Sequence, residues 1–424
     1  MKRLVSYYGD DFTGSTDVME SLAVHGVETV LFTRLPSTDE FARFASFKAF
    51  GLAGTSRSQT PEWMDEHLPQ AFDWLKSLEA RFCHYKVCST FDSSPAIGNI
   101  GRAIEIGARI FAQKTVPLIV GAPQLKRFTF AGNLFAGYQG ETYRIDRHPV
   151  MSRHPVTPMS EADLRLHLAR QTTLDTCLAN SEWPANGIGL IDVFDAQSQL
   201  RAGQRLLKLP APAFLAGSSG IEYALMNAMT QSGDVPGKAE FASLEKAGQI
   251  AVVSGSVSPT TERQIRFALS HGFEAVPVSP LELARGDMRA VSNAIEAALA
   301  VLSRGASPLV YTALGGATDE GSRIDSVPNG RRAIGEGLGR TLRAILERTT
   351  LRRVIIAGGD SSSHALGQLD IFALVTRFPL AATPGSPLCT AYSSHARLDQ
   401  LDIAMKGGQL GGDGYFVQLR DGRE

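Results

Sequence analysis

The sequence predicts an α/β protein of two three-layer α/β/α domains with mostly parallel sheets. Three observations predict it. A short apolar run, a Gly/Ser/Asp-rich turn and a segment of helical period recur in that order from Leu4, Phe214, Ile250 and Val354, and LVYTALGG from Leu309 opens the same way. Runs such as VIIA are apolar at every position, as parallel strands covered on both faces are. The chain has 424 residues, long for one compact core, so it is expected to divide.

Taken in order, the N-terminus MKRLVSYYGDD has a two-residue charged start, a short apolar run and acidic residues at once. That reads as a first strand and not as a signal peptide. Ser15 or Thr16 is expected to cap the helix that follows, with Val18, Leu22 and Ala23 turned inward and a stop near Gly26. FCHYKVCS reads as a further strand. The stretch from Arg144 to Pro158, rich in His, Arg and Pro, is too irregular for an element and is expected to wrap the surface. The polar stretch from Gln231 to Gly248 is the expected linker, giving domains 1–235 and 245–424. Beyond it Ser258 can cap a helix with Pro259 at its first position, Ile265, Ala268 and Leu269 recur at helical spacing, and Gly272 is a stop.

Composition excludes several classes. The formal net charge is -1, so no basic field exists to hold a nucleic acid. No uninterrupted apolar run reaches the ~18 residues of a membrane span. The four cysteines form no CxxC pair, and Cys83, His84 and Cys88 lack a second ligand pair at zinc spacing. Reduced thiols in a cytoplasmic protein are expected. A homodimer is the candidate assembly.

Ligands in doubly wound folds bind at the carboxyl ends of strands, where the polar loops fall. GDDFTG, Gly9 to Gly14, brings Asp10, Asp11 and Thr13 to a helix start; the carboxylates can accept from a polyol or take a proton from an attacking hydroxyl, and the same residues also suit a capping turn. GTSRS supplies Arg57, an anion-binding candidate or a solvated surface residue. KVCSTFDSS supplies Lys86, Ser89, Thr90, Ser93 and Asp92, a set able to hold a hydroxylated carboxylate or to line a polar loop. SGSVSPTT, with Ser254, Gly255, Ser256 and Ser258 before a helix, suits phosphate. AGGDSSS offers Gly358 and Gly359 for close backbone approach, Asp360 as base or water-mediated Mg²⁺ ligand, and Ser361 to Ser363 for phosphate oxygens. KGGQLGGDG places Lys406 beside Gly408 in a Gly-rich turn, where a lysine can neutralise transferring phosphate. Walker A, a GxGxxG opening a helix after a strand, and GxSxG are all absent from the sequence.

These motifs, in this order, resemble the four-carbon acid sugar kinase family over nearly the whole length. Asp10, Asp11, Thr13 and Gly14 match its DDxTG. Thr55 to Ser58 match its TRS-like segment, and Lys86, Ser89 and Thr90 its lysine motif. Ser254 to Ile265 match its SGSxSxxTxxQI, Gly358 to Ser361 its GGDT/S, and Lys406, Gly408 and Gly411 its last motif. The resemblance implies a ligand cleft between an N-terminal sugar-acid domain and a C-terminal ATP domain. It implies transfer from MgATP to the terminal hydroxyl of a threonate, erythronate, 3-oxo-tetronate or branched acid such as 3-oxo-isoapionate. Asp10, Asp11, Arg57, Lys86, Ser89 and Thr90 are then substrate-side, and Ser254, Ser256, Ser258, the GGDS loop and Gly408 nucleotide-side.

Three departures stand out. The usual KxDSTLRG reads KVCSTFDSSPAIGN, without the Arg and with Asp92 added; GGDS runs on as Ser-Ser-His; and Leu410 replaces Phe. The first falls in the expected substrate pocket and favours an oxo or branched acid. The expected mechanism is direct in-line transfer with Asp11 or Asp360 as base, in a site that closes to exclude water. Two rival readings are a sensor that binds a sugar acid without turnover, and a lyase or aldolase using Lys86 or Lys406 as a Schiff base.

Overall fold

The computed structural model describes residues 3–316, 320–380 and 382–423, and the side chains of Asp360 and Ser361 lie outside the described residues. The chain forms two compact units, Met1–Glu240 and Phe241–Glu424.

The first unit carries strands β1 (Val5–Gly9), β2 (Thr29–Phe32), β3 (Ala49–Ala53), β4 (Phe82–Lys86), β5 (Thr115–Ile119), β6 (Arg127–Phe130), β7 (Asn133–Tyr138), β8 (Glu141–Arg144), β9 (Thr176–Leu178), β10 (Gly187–Leu190) and β11 (Ala213–Gly217). Eight of them form a parallel array in the order β2-β3-β1-β4-β11-β5-β10-β9. β1, β4 and β11 are buried at every position, as their unbroken apolar reading requires. Chain order reverses at β1, with later strands added on both sides, which makes a crevice at its carboxyl end. The register puts three loops level there: Gly9 stands opposite Ala53 and opposite Lys86.

The first helix, Phe12–Val24, is capped by Asp11 and not by Ser15 or Thr16. The Asp11 carboxylate accepts the Gly14 N–H at 2.5 Å, a charged cap on the positive helix end. Ser15 and Thr16 instead donate to the Asp11 and Thr13 carbonyls inside the helix. Val18 and Leu22 are buried as expected, Ala23 half so, and the chain turns at Gly26 with positive φ.

Two features depart from the sequence reading. β6, β7 and β8 form a separate antiparallel sheet. The 144–158 stretch runs over the surface in part, with Arg147, Pro149, Arg153 and Pro155 exposed, but Ile145, His148, Met151 and Thr157 are buried. It forms two short 3-10 helices, Ile145–Arg147 and Met151–Arg153, and its imidazoles take further backbone N–H groups. His148 Nδ1 accepts the N–H groups of Val150 and Met151, both at 3.2 Å, and His154 Nδ1 accepts that of Thr157 at 3.0 Å.

The second unit carries β12 (Ala251–Ser254), β13 (Phe273–Pro277), β14 (Ser307–Tyr311), β15 (Arg353–Ala357), β16 (Ile371–Phe378), β17 (Leu388–Ser393) and β18 (Leu401–Lys406), ordered β13-β14-β12-β15-β18-β17-β16. β17 runs antiparallel to both its neighbours, and the other pairings are parallel. Ile250, Val252, Ile265, Phe273, Ile355 and Phe416 meet in its core. Order reverses between β12 and β15, and again three loops begin level, since Ala357 stands opposite both Ser254 and Lys406. Ser258 caps the helix Pro259–Leu269 as expected, accepting from Thr260 N–H. Among the described residues no helix is long and apolar enough to cross a membrane.

Candidate functional site

In the first unit the three level loops bring together the residues expected to meet a sugar acid. Arg57 lies in the turn Ser56–Ser58 and its N–H donates to the Asp10 carbonyl at 3.0 Å. Its guanidinium forks between two carboxylates. Nη1 donates to Asp11 Oδ2 at 2.5 Å, and Nη2 to Asp92 Oδ1 and Oδ2 at 3.0 and 3.1 Å. Asp92 also accepts the Thr90 hydroxyl at 2.5 Å and the Thr157 hydroxyl at 3.0 Å. Thr13 sits half-buried in the first helical turn, and Ser89 is half-buried between Lys86 and Thr90.

The charges are crowded. Lys86, at the end of β4, is 2 % exposed. Burial pushes its ammonium down, but Asp17, Asp10, Asp11 and Cys88 more than offset this and hold it above the usual lysine range. A Cβ on Gly14 would stand 2.7 Å from Asp11 Oδ1 and 2.8 Å from Lys86 Nζ, so only glycine leaves these two charges in place. Asp10 is 3 % exposed, and its Oδ1 has no hydrogen-bond partner among the described residues. Burial, then the Asp11 charge, pushes Asp10 up to about 7. Burial also acts on Asp11, but Arg57, Lys86 and the Gly14 N–H outweigh it and hold that carboxylate below its ordinary range. The adjacent acids thus divide: Asp11 is a fixed anion with both oxygens engaged, and Asp10 holds or releases a proton near neutrality.

In the second unit a ladder of serines shapes the loop after β12. Ser254, Ser256 and Ser258 each accept, through the side-chain oxygen, the N–H two residues on, at 3.4, 3.3 and 3.2 Å. This ladder is sewn to the Gly-rich loop after β18. Ser258 and Thr261 donate to the Gly408 carbonyl at 2.6 and 3.0 Å, and Gln264 Nε2 donates to the Leu410 and Gly412 carbonyls at 2.9 and 3.0 Å. A Cβ on Gly408 would lie 2.9 Å from Ser256 Oγ. Lys406 is 1 % exposed, and its Nζ donates to Thr261 Oγ1 and the Gly407 carbonyl, both at 3.0 Å. Burial lowers it to about 8. One of its three protons therefore ties this loop to the helix Pro259–Leu269, and a second stays within its own loop. The Gly255 and Gly358 N–H groups donate to Ala357 and Lys406 carbonyls, each at 3.0 Å. Gly358 has φ +139, which favours glycine, and a Cβ on Gly359 would meet nothing within 4 Å. Asp360 begins the helix Asp360–Leu366, but its side chain and that of Ser361 lie outside the described residues.

Sequence reading missed Thr157 and His154, which enter from a stretch with no periodic signal. It also gave no role to Asp17, Thr261 or Gln264, although the last two lie inside the SGSVSPTTERQI run.

The comparisons agree with this division of labour. Residues 5–258 match the model of a sugar-binding N-terminal domain, and 251–416 that of a nucleotide-binding C-terminal domain. Together these define a two-domain, nucleotide-using sugar kinase. The chain is 41% identical to the 3-oxo-isoapionate kinase of Paraburkholderia graminis, over 99% of this chain and 94% of that one. It is 28% identical to the 3-oxo-tetronate kinase of Cupriavidus necator, over 97% and 95% of the two chains. A Salmonella typhimurium LT2 protein shares the fold at a TM-score of 0.79 and 20% identity, covering 99% of each chain. A Haemophilus influenzae protein of the DUF1537 family does so at 0.73 and 21%, covering 98% of this chain and 99% of that one. The chain belongs to the four-carbon acid sugar kinase family and is an enzyme that phosphorylates a sugar acid. The sensor and lyase readings are set aside.

Proposed function

We propose that the protein transfers the γ-phosphoryl group of MgATP to the terminal hydroxyl of an oxo or branched four-carbon sugar acid, with 3-oxo-isoapionate the first substrate to test. The observation that carries this is the 41% identity to a 3-oxo-isoapionate kinase, which runs through both domains. The departures in KVCSTFDSS support an acid other than plain threonate.

In this reading Arg57 and Lys86 receive the substrate carboxylate and hydroxyls, with Ser89, Thr90 and Thr13 around them. Phosphoryl transfer needs positioning and charge stabilisation more than a strong base. Asp11, held as an anion, orients the attacking hydroxyl, and the Asp10–Asp11 pair takes up its proton. Asp360 is the other candidate base. The loops of the serine ladder, the Gly358–Gly359 turn and Gly408 receive the nucleotide phosphates, with glycines that let the backbone approach closely. Mg²⁺ bound with the nucleotide at these loops would supply charge neutralisation on the transferring group. The same reading places the enzyme in the cytoplasm, where its nucleotide is.

The test is ADP release by the purified protein with MgATP and 3-oxo-isoapionate, 3-oxo-tetronate, threonate and erythronate in turn. Turnover with an oxo or branched acid at least ten times that with threonate supports the reading. Preference for threonate or erythronate overturns the substrate assignment, and release with none of the four overturns the acid class.

A further inference from the structure

Asp92, expected from its loop to touch substrate, offers no free oxygen. Oδ1 accepts the Thr90 hydroxyl at 2.5 Å and Arg57 Nη2 at 3.0 Å. Oδ2 accepts the Thr157 hydroxyl at 3.0 Å and the same Nη2 at 3.1 Å. The Asp92 side chain has no exposed surface, whereas that of Arg57 keeps 30%. A carboxylate so enclosed has its lone pairs assigned within the protein. Its remaining work is to hold a guanidinium.

Thr157 is itself seated. Its N–H donates to His154 Nδ1 at 3.0 Å, and its hydroxyl lies 3.0 Å from the same nitrogen. A backbone N–H can only donate, so Nδ1 is the acceptor and the ring proton sits on Nε2. With that lone pair taken, the hydroxyl proton goes to Asp92. The direction of every bond follows: Thr157 N–H to His154, Thr157 O–H to Asp92, Arg57 Nη2–H to Asp92. Asp11 takes the other Arg57 nitrogen at 2.5 Å. Two carboxylates on two nitrogens fix the guanidinium plane. Without Thr157, Asp92 Oδ2 keeps only the longer Arg57 contact and the carboxylate can turn.

We infer that Thr157, seated by His154, is a positioning residue for the sugar acid, fixing through Asp92 the edge that Arg57 turns to the substrate carboxylate. This rests on the sugar-acid kinase reading above. It gives the His/Pro-rich stretch a task in the site: the loop decides where the acid's carboxylate is received, and so which acids fit.

The test compares Thr157→Val, nearly the same shape without the hydroxyl, with Thr157→Ser, which restores it. In Thr157→Val the KM for the acid should rise about tenfold, as loss of one hydrogen bond to a charged group implies, with the KM for ATP and kcat within twofold. Thr157→Ser should return the acid KM towards wild type. A readout independent of turnover is phenylglyoxal labelling of Arg57 in the full-length protein, followed by mass spectrometry. It should run several-fold faster in Thr157→Val and at the wild-type rate in Thr157→Ser. Unchanged labelling with unchanged acid KM, or equal rises in both KM values, overturns the inference. If wild type turns over no acid, the sugar-acid reading fails, and labelling still decides whether Thr157 positions Arg57. Should the valine variant not fold, His154→Ala, which removes the acceptor of Thr157 N–H, carries the same test.

Discussion

Arg57 Nη1 meets Asp11 Oδ2 at 2.5 Å, joining residues 46 positions apart at the ends of β3 and β1. The contact makes one carboxylate serve twice, since its other oxygen caps the first helix. Arg57→Lys keeps the charge and loses the fork. It should raise the acid KM tenfold or more and leave the ATP KM within twofold, read in initial-rate kinetics. Arg57→Ala should also lower stability by about 2 kcal/mol in urea unfolding. Stranding a buried Asp92 costs more than that in full burial, and the partly exposed guanidinium discounts it.

Asp10 makes stability depend on pH. Its folded value of about 7 lies above the ordinary 3.8, so its contribution is complete below about pH 4 and is lost as pH rises through 7. Asp10→Asn has no charge to bury. The melting temperature of the variant minus that of wild type should therefore grow from pH 4 to pH 8, with no more than ~4 kcal/mol at stake. A difference that is flat or shrinks over that range would show that Asp10 is not held protonated.

Gly14→Ala drives a methyl group against Asp11 and Lys86. Turnover should fall at least a hundredfold, about the 2.7 kcal/mol that displacing one oriented charge costs a transition state. Nucleotide-induced thermal stabilisation should persist, because no residue of the second unit is touched. Loss of both would point to a folding defect, which far-ultraviolet circular dichroism would report.

How much could be read beforehand differs between the units and follows from physics. Continuous apolar strands with capped helices announce parallel α/β architecture locally, so β1 and β12 with the loops after them were legible, as was Ser258 with Pro259. The Asp11 cap was misassigned because Asp, Ser and Thr compete for that place within five residues, and tertiary pairing with Arg57 decided it. β6 to β8 and the His148–Thr157 stretch were not legible. β6 to β8 pair as a local antiparallel sheet without the unbroken apolar runs of the parallel strands, and in the His148–Thr157 stretch imidazoles take backbone N–H groups while the Thr157 side chain bonds Asp92 65 residues away, which no window of sequence periodicity contains.

Lys406 offers a second separation of functions. Lys406→Met keeps the stem and removes the ties to Thr261 and Gly407. The ATP-induced thermal shift should shrink, with an ATP KM about tenfold higher for two lost hydrogen bonds, while the acid-induced shift stays as in wild type. Gln264→Leu should act in the same direction, since it leaves the Leu410 and Gly412 carbonyls without their donor. An unchanged ATP KM in both variants would show that the seam between the two loops does not shape the nucleotide site.

That seam also sets an order in time. Ser258 and Thr261 bond to Gly408, 150 and 147 residues downstream. A polypeptide emerging from the ribosome completes the loops of its first unit while the loop after β12 still waits for its closing partner. The loop that carries Lys406 and Gly408 is thus synthesised after all the loops gathered around Asp11 and Arg57, and the ladder at Ser254 to Ser258 waits 150 residues for its partner.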